Sequence, residues 1–156
     1  MESINYIKGD ATNPQGLGNK LIVHICNDIG AWGKGFVLAI SKKWNEPERE
    51  YREWYKSQTD FGLGKVQYVN VEPDIFVANM IGQHKIRKTN GLAPIRYDSV
   101  EECLNKVADF AIENQTSIHM PRIGCGLAGG NWIEIVNIIN RTLIEKDIKV
   151  TVYDFE

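Results

Sequence analysis

The stretch "PRIGCGLAGG", Pro121 to Gly130, sets four glycines within seven residues between the apolar "SIHM" and the amphipathic "NWIEIVNIIN". Glycine gives up more conformational freedom on folding than other residues, so such density destabilises unless the backbone bends sharply or lies close to something. The same order of strand, glycine loop and helix occurs at "VHICNDIGAWGKGF", where Gly30, Gly33 and Gly35 follow an apolar run. Each loop stands just beyond the C-terminal end of an expected strand, the edge at which open α/β sheets bind ligands.

Working outward, "LIVHICN" is a nearly continuous apolar run of the kind found in a sheet covered on both faces. "INYIKGD", "KVQYVNV", "DIFVANMIG", "SIHM" and "IKVTVYDF" complete a set of about six strands, with Glu72, Pro73 and Asp74 as a hairpin signal. "FVLAISKKW" and "EPEREYREWYKSQ" predict helices, the second with Pro47 near its start, where a missing N–H costs little. "DSVEECLNKVADFAIEN" carries Val100, Leu104, Val107 and Ala111 at helical spacing, with Asp98 and Glu101 as an expected capping box. In "NWIEIVNIINRTLIEK" the expected cap pair is Asn131 and Glu134, and the expected inner face is Trp132, Ile135, Val136, Ile139 and Leu143. Strands alternating with helices predict a three-layer α/β/α domain around a mixed, largely parallel sheet. "GQHKIRKTNGLAPIRY" is basic, lacks periodicity and is expected to be a long surface loop of the functional kind.

Composition sets the bounds. The 156 residues, 43% hydrophobic and 24% charged, fit one domain with a real core. No apolar run approaches the roughly 18 residues of a membrane span, and "MESINYIKGD" has no signal-peptide pattern, so a cytoplasmic protein is expected. Cys26, Cys103 and Cys125 are an odd set without CxxC spacing, which suits reduced thiols. A net charge of −2 with interspersed signs argues against broad capture of nucleic acid; any phosphate is expected to be held locally, by backbone.

Glycine loops opening into helices expose N–H groups and the positive end of a helix dipole, which suits a phosphate, and two such cradles suit a diphosphate. The competing reading of each loop alone is a tight turn. Neither loop is a Walker A sequence or completes GxGxxG with its acidic partner, which disfavours ordinary NTP or NAD chemistry. A different nucleotide-binding α/β module, with a preference for ATP or FMN, stays open as a distant alternative.

From "YIKGDAT" through "HICNDIGAWGKGF" and "MPRIGCGLAGGNW" to "VTVYDF", the chain resembles the macrodomains, which bind ADP-ribose. It looks most like the branch holding ADP-ribose-1''-phosphate phosphatases and terminal ADP-ribose protein glycohydrolases. The resemblance implies that Asp10 accepts a hydrogen bond from the adenine amino group, with Ala11 beside it. Asn27 would hold the distal ribose, and Gly33, Lys34 and Gly35 would line that ribose and the phosphates. Gly124, Cys125, Gly126 and Leu127 would wrap the diphosphate, and Phe155 would meet adenine. The plain alternatives are a turn aspartate at Asp10, a small space-filling residue at Cys125 and core packing at Phe155.

In the glycohydrolase type, an acid follows the "GCGL" segment and a lysine ends the strand matching "DIFVANMIG"; here Ala128 and Gln83 stand there. That lysine and carboxylate mechanism is therefore not carried over. His24 is the remaining catalytic candidate, as base, acid or nucleophile, against an equal reading as a buried structural histidine. Behind it come Lys34, Asp28 and the loop with His84 and Lys85. Neither His24 with Cys26 nor His84 with His119 completes a zinc set, so a metal-free site without a cofactor is expected. The expected partner is ADP-ribose, ADP-ribose-1''-phosphate or an ADP-ribosylated macromolecule, processed by a hydrolase; the alternative is a non-catalytic reader.

Overall fold

The structure, a computed structural model, describes residues 3–155. Six strands form one sheet: β1 (Asn5–Lys8), β2 (Asn19–Asn27), β3 (Val66–Glu72), β4 (Ile75–Gln83), β5 (Thr116–Met120) and β6 (Val150–Asp154). Their order is β1-β6-β5-β2-β4-β3, and every neighbouring pair is parallel except β3 with β4. Those two make the expected hairpin through Pro73 and Asp74. β2 therefore lies inside the sheet, which is why its sequence is apolar on both faces.

Successive residues of β2 enter opposite layers, as strand geometry requires. Leu21 and Val23 join the core beneath α3 (Tyr97–Asn114) and α4 (Trp132–Thr142), with Val100, Leu104, Val107, Ile135 and Ile139. Ile22 and Cys26 join the other core, beneath α1 (Phe36–Lys43) and α2 (Glu46–Ser57), with Trp32, Ile40, Tyr51 and Ile81. The result is the expected three-layer arrangement, with one helix pair on each face.

Local details depart from expectation. Arg96, not Asp98, precedes α3 as its N-cap and offers no side-chain cap. Asp98 lies inside the first turn and accepts from Ser99 N at 2.9 Å, while Glu101 pairs with Arg141 at 2.7 Å instead of reaching back. Asn131 does cap α4, its Oδ1 accepting from Ile133 N at 2.9 Å, but Asn131 N donates to Tyr97 Oη rather than to Glu134. The buried residues of α4 are Ile135, Ile138, Ile139 and Thr142, so Ile138 takes the place expected for Val136. Ile135, Ile138 and Ile139 share one core with Val100, Leu104 and Val107 of α3 and with Leu21 and Val23 of β2, so the inner face meets two neighbours.

Candidate ligand-binding site

At the C-terminal ends of β2, β4 and β5 a cavity of about 640 Å³ opens, within the usual size of small-molecule sites. Both glycine loops line it, the first with Asn27, Gly33, Lys34 and Gly35 and the second with Gly124, Gly126 and Leu127. Gln83, Ile86 and Arg87 of the β4–α3 segment complete one side.

The glycines divide into two kinds. Gly124 has φ +76°, and a Cβ there would collide with Ile95 Cδ1; at Gly130 it would collide with the Gly124 carbonyl, to which Gly130 N donates at 2.6 Å. These residues close the loop and need to be glycine for the fold alone. Gly126 and Gly33 have no left-handed φ, and a Cβ on either would meet nothing within 4 Å. No contact within the described residues requires glycine there, yet both border the cavity, into whose space a side chain would project.

Asn27 organises the first loop. Its Oδ1 accepts from Ile29 N at 3.1 Å, Ala31 N at 3.0 Å and Tyr51 Oη at 3.0 Å, and its Nδ2 donates to Ala31 O at 2.8 Å. Tyr51, fully buried, also donates to the Asn27 carbonyl at 2.6 Å. One amide hydrogen of Asn27 is left for the cavity. Gly35 is the N-cap of α1 and supplies no side-chain cap; Leu38 N donates to Gly35 O at 3.1 Å, while Phe36 and Val37, whose N–H groups precede the helix's own ladder, line the cavity. The second junction differs: Asn131 caps α4 and stands outside the cavity wall, so there the loop backbone faces the cavity and the helix end does not.

Four expected residues stand outside the cavity lining: Asp10, Ala11, Cys125 and Phe155. Asp10 and Ala11 follow β1, and Phe155 follows β6, on the same edge of the sheet. Asp10 Oδ1 accepts from Thr12 N at 2.8 Å and Thr12 Oγ1 at 2.7 Å, the turn role its position suggested. Ala11 is buried, whereas Phe155 is 79% exposed, which rules out core packing for its ring. Burial pushes the Cys125 thiol up, with Arg122 pulling the other way, so the residue is no activated thiolate.

His24 lines the cavity floor but is only 2% exposed. Asn79 Nδ2 donates to Pro47 O at 3.2 Å and Gln67 Oε1 at 3.0 Å, which turns its Oδ1 toward His24 Nε2 at 2.6 Å. The imidazole must therefore carry its hydrogen on Nε2. Burial lowers its pKa to about 4, against the smaller opposing effect of the Asn79 hydrogen bond, and Trp32 and Phe36 flank the ring. His119 is likewise lowered to about 4, by burial and then by Lys20.

Lys34, Arg87 and Arg122 bring positive charge to the wall, and Arg122 is held by Asp154 at 2.6 and 3.1 Å. No carboxylate is among the described residues that line the cavity. Ala128 and Gln83 both border it, so the positions where an acid and a lysine were sought hold a methyl and an amide. Among the described residues no group of three His, Cys, Asp or Glu could hold a metal. One pair escaped sequence reading: His84 Nδ1 lies 2.6 Å from Asp28 Oδ2, although 56 residues separate them. Only the parallel pairing of β2 with β4 reveals it.

A parallel-rich sheet between helix pairs, with a cationic, backbone-lined cavity at its C-terminal edge, defines a small-ligand-binding α/β protein. A macrodomain protein from Streptomyces coelicolor superimposes with a TM-score of 0.87 at 50% identity, over 97% of this chain and 99% of that one. The chain belongs to the macrodomain family. A protein from Bacteroides thetaiotaomicron is nearer still, with a TM-score of 0.97 and 65% identity over 97% and 98% of the two chains. Human ADP-ribose glycohydrolase OARD1 is 34% identical over 96% of this chain and 90% of its own. The ADP-ribose 1''-phosphate phosphatase of Candida albicans is 27% identical over 83% and 86%. Mouse chromodomain-helicase-DNA-binding protein 1-like is 33% identical over 98% of this chain, which spans only 18% of that protein's length. No family model matches the chain.

Proposed function

We propose that this chain, as a single macrodomain over residues 1–156, binds ADP-ribose or a derivative of it in the cavity and hydrolyses such a derivative. The observation that carries binding is the pair Gly126 and Gly33, glycines that border the cavity without any need from the fold. The loop from Gly124 to Leu127 and the start of α1 would hold the diphosphate through N–H groups, with Lys34 and Gly35 beside it. Asn27 would give its remaining amide hydrogen to the distal ribose. Asp10, Ala11 and Phe155 would take adenine along the edge formed by β1 and β6. Cys125 would contribute backbone alone.

Hydrolysis is supported by the relatives named as a glycohydrolase and as a phosphatase. The candidate substrates are ADP-ribose-1''-phosphate and ADP-ribosylated macromolecules, in the cytoplasm. Among the described residues no helix is long and apolar enough to cross a membrane. His24 serves better as a buried wall than as the proton carrier, because its imidazole stays neutral and its Nε2–H is committed to Asn79. The second reading is a non-catalytic reader, favoured by the cavity wall's lack of a carboxylate.

Calorimetric titration with ADP-ribose tests binding, and turnover of ADP-ribose-1''-phosphate and of ADP-ribosylated protein tests hydrolysis. Binding without any turnover selects the reader. Absence of binding, with ATP or FMN binding instead, removes both readings.

A further inference from the structure

We propose that Asp28 and His84 form the acid–base pair of this site, with His84 Nε2 as the proton carrier and Asp28 as the group that orients it. The proposal rests on the hydrolase reading above.

Asp28 and His84 each stand one residue beyond a cavity-lining residue, Asn27 and Gln83, at the ends of adjacent strands. The segment leaving His84 returns to the cavity wall at Ile86 and Arg87. His84 Nδ1 and Asp28 Oδ2 are 2.6 Å apart, with side chains 34% and 15% exposed. A carboxylate only accepts, so Nδ1 carries the hydrogen, and in the neutral form of the ring the lone pair is then on Nε2.

A loose surface ion pair would be worth little and would fix nothing. This one is held through both Asp28 oxygens and through the backbone on either side of His84. Asp28 Oδ1 accepts from Lys85 N at 2.8 Å, and Asp28 N donates to Gln83 O at 3.2 Å. Gln83 Nε2 donates to Lys85 O at 2.9 Å, and His84 N to Pro94 O at 2.8 Å. Such double anchoring is what an oriented base requires.

The other histidines are committed. His24 gives Nε2 to Asn79 in the core, and His119 uses Nδ1 on Tyr153 Oη and Nε2 on Ser117 Oγ, each at 2.7 Å. With no carboxylate on the wall, His84 is the histidine beside the cavity whose second nitrogen has no protein partner among the described residues.

In the reaction, water adds at the electrophilic centre joined to the 1'' oxygen of the terminal ribose, and its proton passes to His84 Nε2 as the new bond to oxygen forms. The electron pair of the breaking bond leaves on the departing oxygen. The imidazolium, steadied by Asp28, returns the proton to that oxygen.

The discriminating variant is His84→Asn, whose Nδ2 can still donate to Asp28 but which has no second ring nitrogen. For it we expect kcat to fall by about 10²-fold or more, the usual range for an acid–base group, with the Kd for ADP-ribose within about threefold of the parent. His84→Ala should fall similarly and regain at least about tenfold with added imidazole, which a collapsed loop would not do. A His84→Asn protein of parental rate overturns the pair and leaves the hydrolase reading standing. So does a His84→Ala protein that imidazole leaves unrescued. A parent that binds ADP-ribose but turns over neither substrate overturns the hydrolase reading and this proposal with it.

Discussion

Replacing Gly126 with valine separates the two reasons for a glycine in one loop. Gly126 has no left-handed φ and an added Cβ meets nothing within 4 Å, so the fold should change by no more than about 0.5 kcal/mol, as for an ordinary surface substitution. The same change at Gly124 forces a branched residue to φ +76° and into Ile95 Cδ1. Left-handed strain of about 1–2 kcal/mol and overpacking of about 1–3 kcal/mol give a loss of about 2–5 kcal/mol. Binding should show the reverse order of interest. A valine at Gly126 displaces the ligand from at least one charge-assisted N–H contact and obstructs its approach, costing about 2–4 kcal/mol, or roughly 30- to 700-fold in Kd. Urea unfolding measures the first quantity and calorimetry with ADP-ribose the second. A Gly126→Val protein that folds and binds like the parent would show that no ligand backs onto this loop, and the reasoning fails.

Asp10→Ala should weaken ADP-ribose by about 1–3 kcal/mol, while Asp10→Asn keeps the Oδ1 acceptor for Thr12; equal calorimetric Kd values for Asp10→Ala and parent would remove Asp10 from the adenine site. Tyr51→Phe leaves the Asn27 carbonyl and Oδ1 short of a donor in the core, so we expect about 1–3 kcal/mol less stability in urea and weaker ADP-ribose binding; parental values for both would dissociate this bond from the loop. His24 and His119 have folded pKa values of about 4, below the ordinary histidine value of 6.5, so the unfolded chain binds more protons between those limits. Stability should fall as pH drops from 6.5 toward 4, by about 3 kcal/mol for each histidine. Urea midpoints at pH 7 and 4.5 check this, and His24→Phe, though less stable at pH 7, should lose less on acidification; an unchanged loss refutes the assignment.

The architecture was legible because hydrophobic runs and glycine positions act locally. β2 reads as an inner strand from its unbroken apolar run, and the two loops mark the C-terminal edge of the sheet, although Gly124 and Gly130 turn out to serve the fold and Gly33 and Gly126 alone have no such need. Capping was less legible. Asp98 has the right type and spacing for a cap, but helix α3 begins one residue before it, and a sequence pattern does not fix where a helix starts. The face of α4 was misjudged at Val136 because periodicity alone does not register a second neighbour, α3. His24 stands out in sequence by its place on the strand entering the loop; its bond to Asn79 comes from a residue 55 positions away, and Trp32 and Phe36 close over its ring. The Asp28–His84 contact was illegible for the same reason, being made by strand register rather than by spacing.

The wall's lack of acids also governs how a ligand arrives. The chain as a whole carries a net charge of −2, so at long range it repels an anion weakly. The cations on the wall that no carboxylate holds are Lys34 and Arg87, since Asp154 neutralises Arg122, while the Asp28 carboxylate stands one residue behind the wall against His84; such charges act within a Debye length, about 8 Å at physiological ionic strength. A concave wall concentrates such a field, raising the frequency of productive encounters with doubly charged diphosphates over neutral nucleosides before any contact is made. Selection by charge would thus begin in the solvent, before the ligand reaches the cavity.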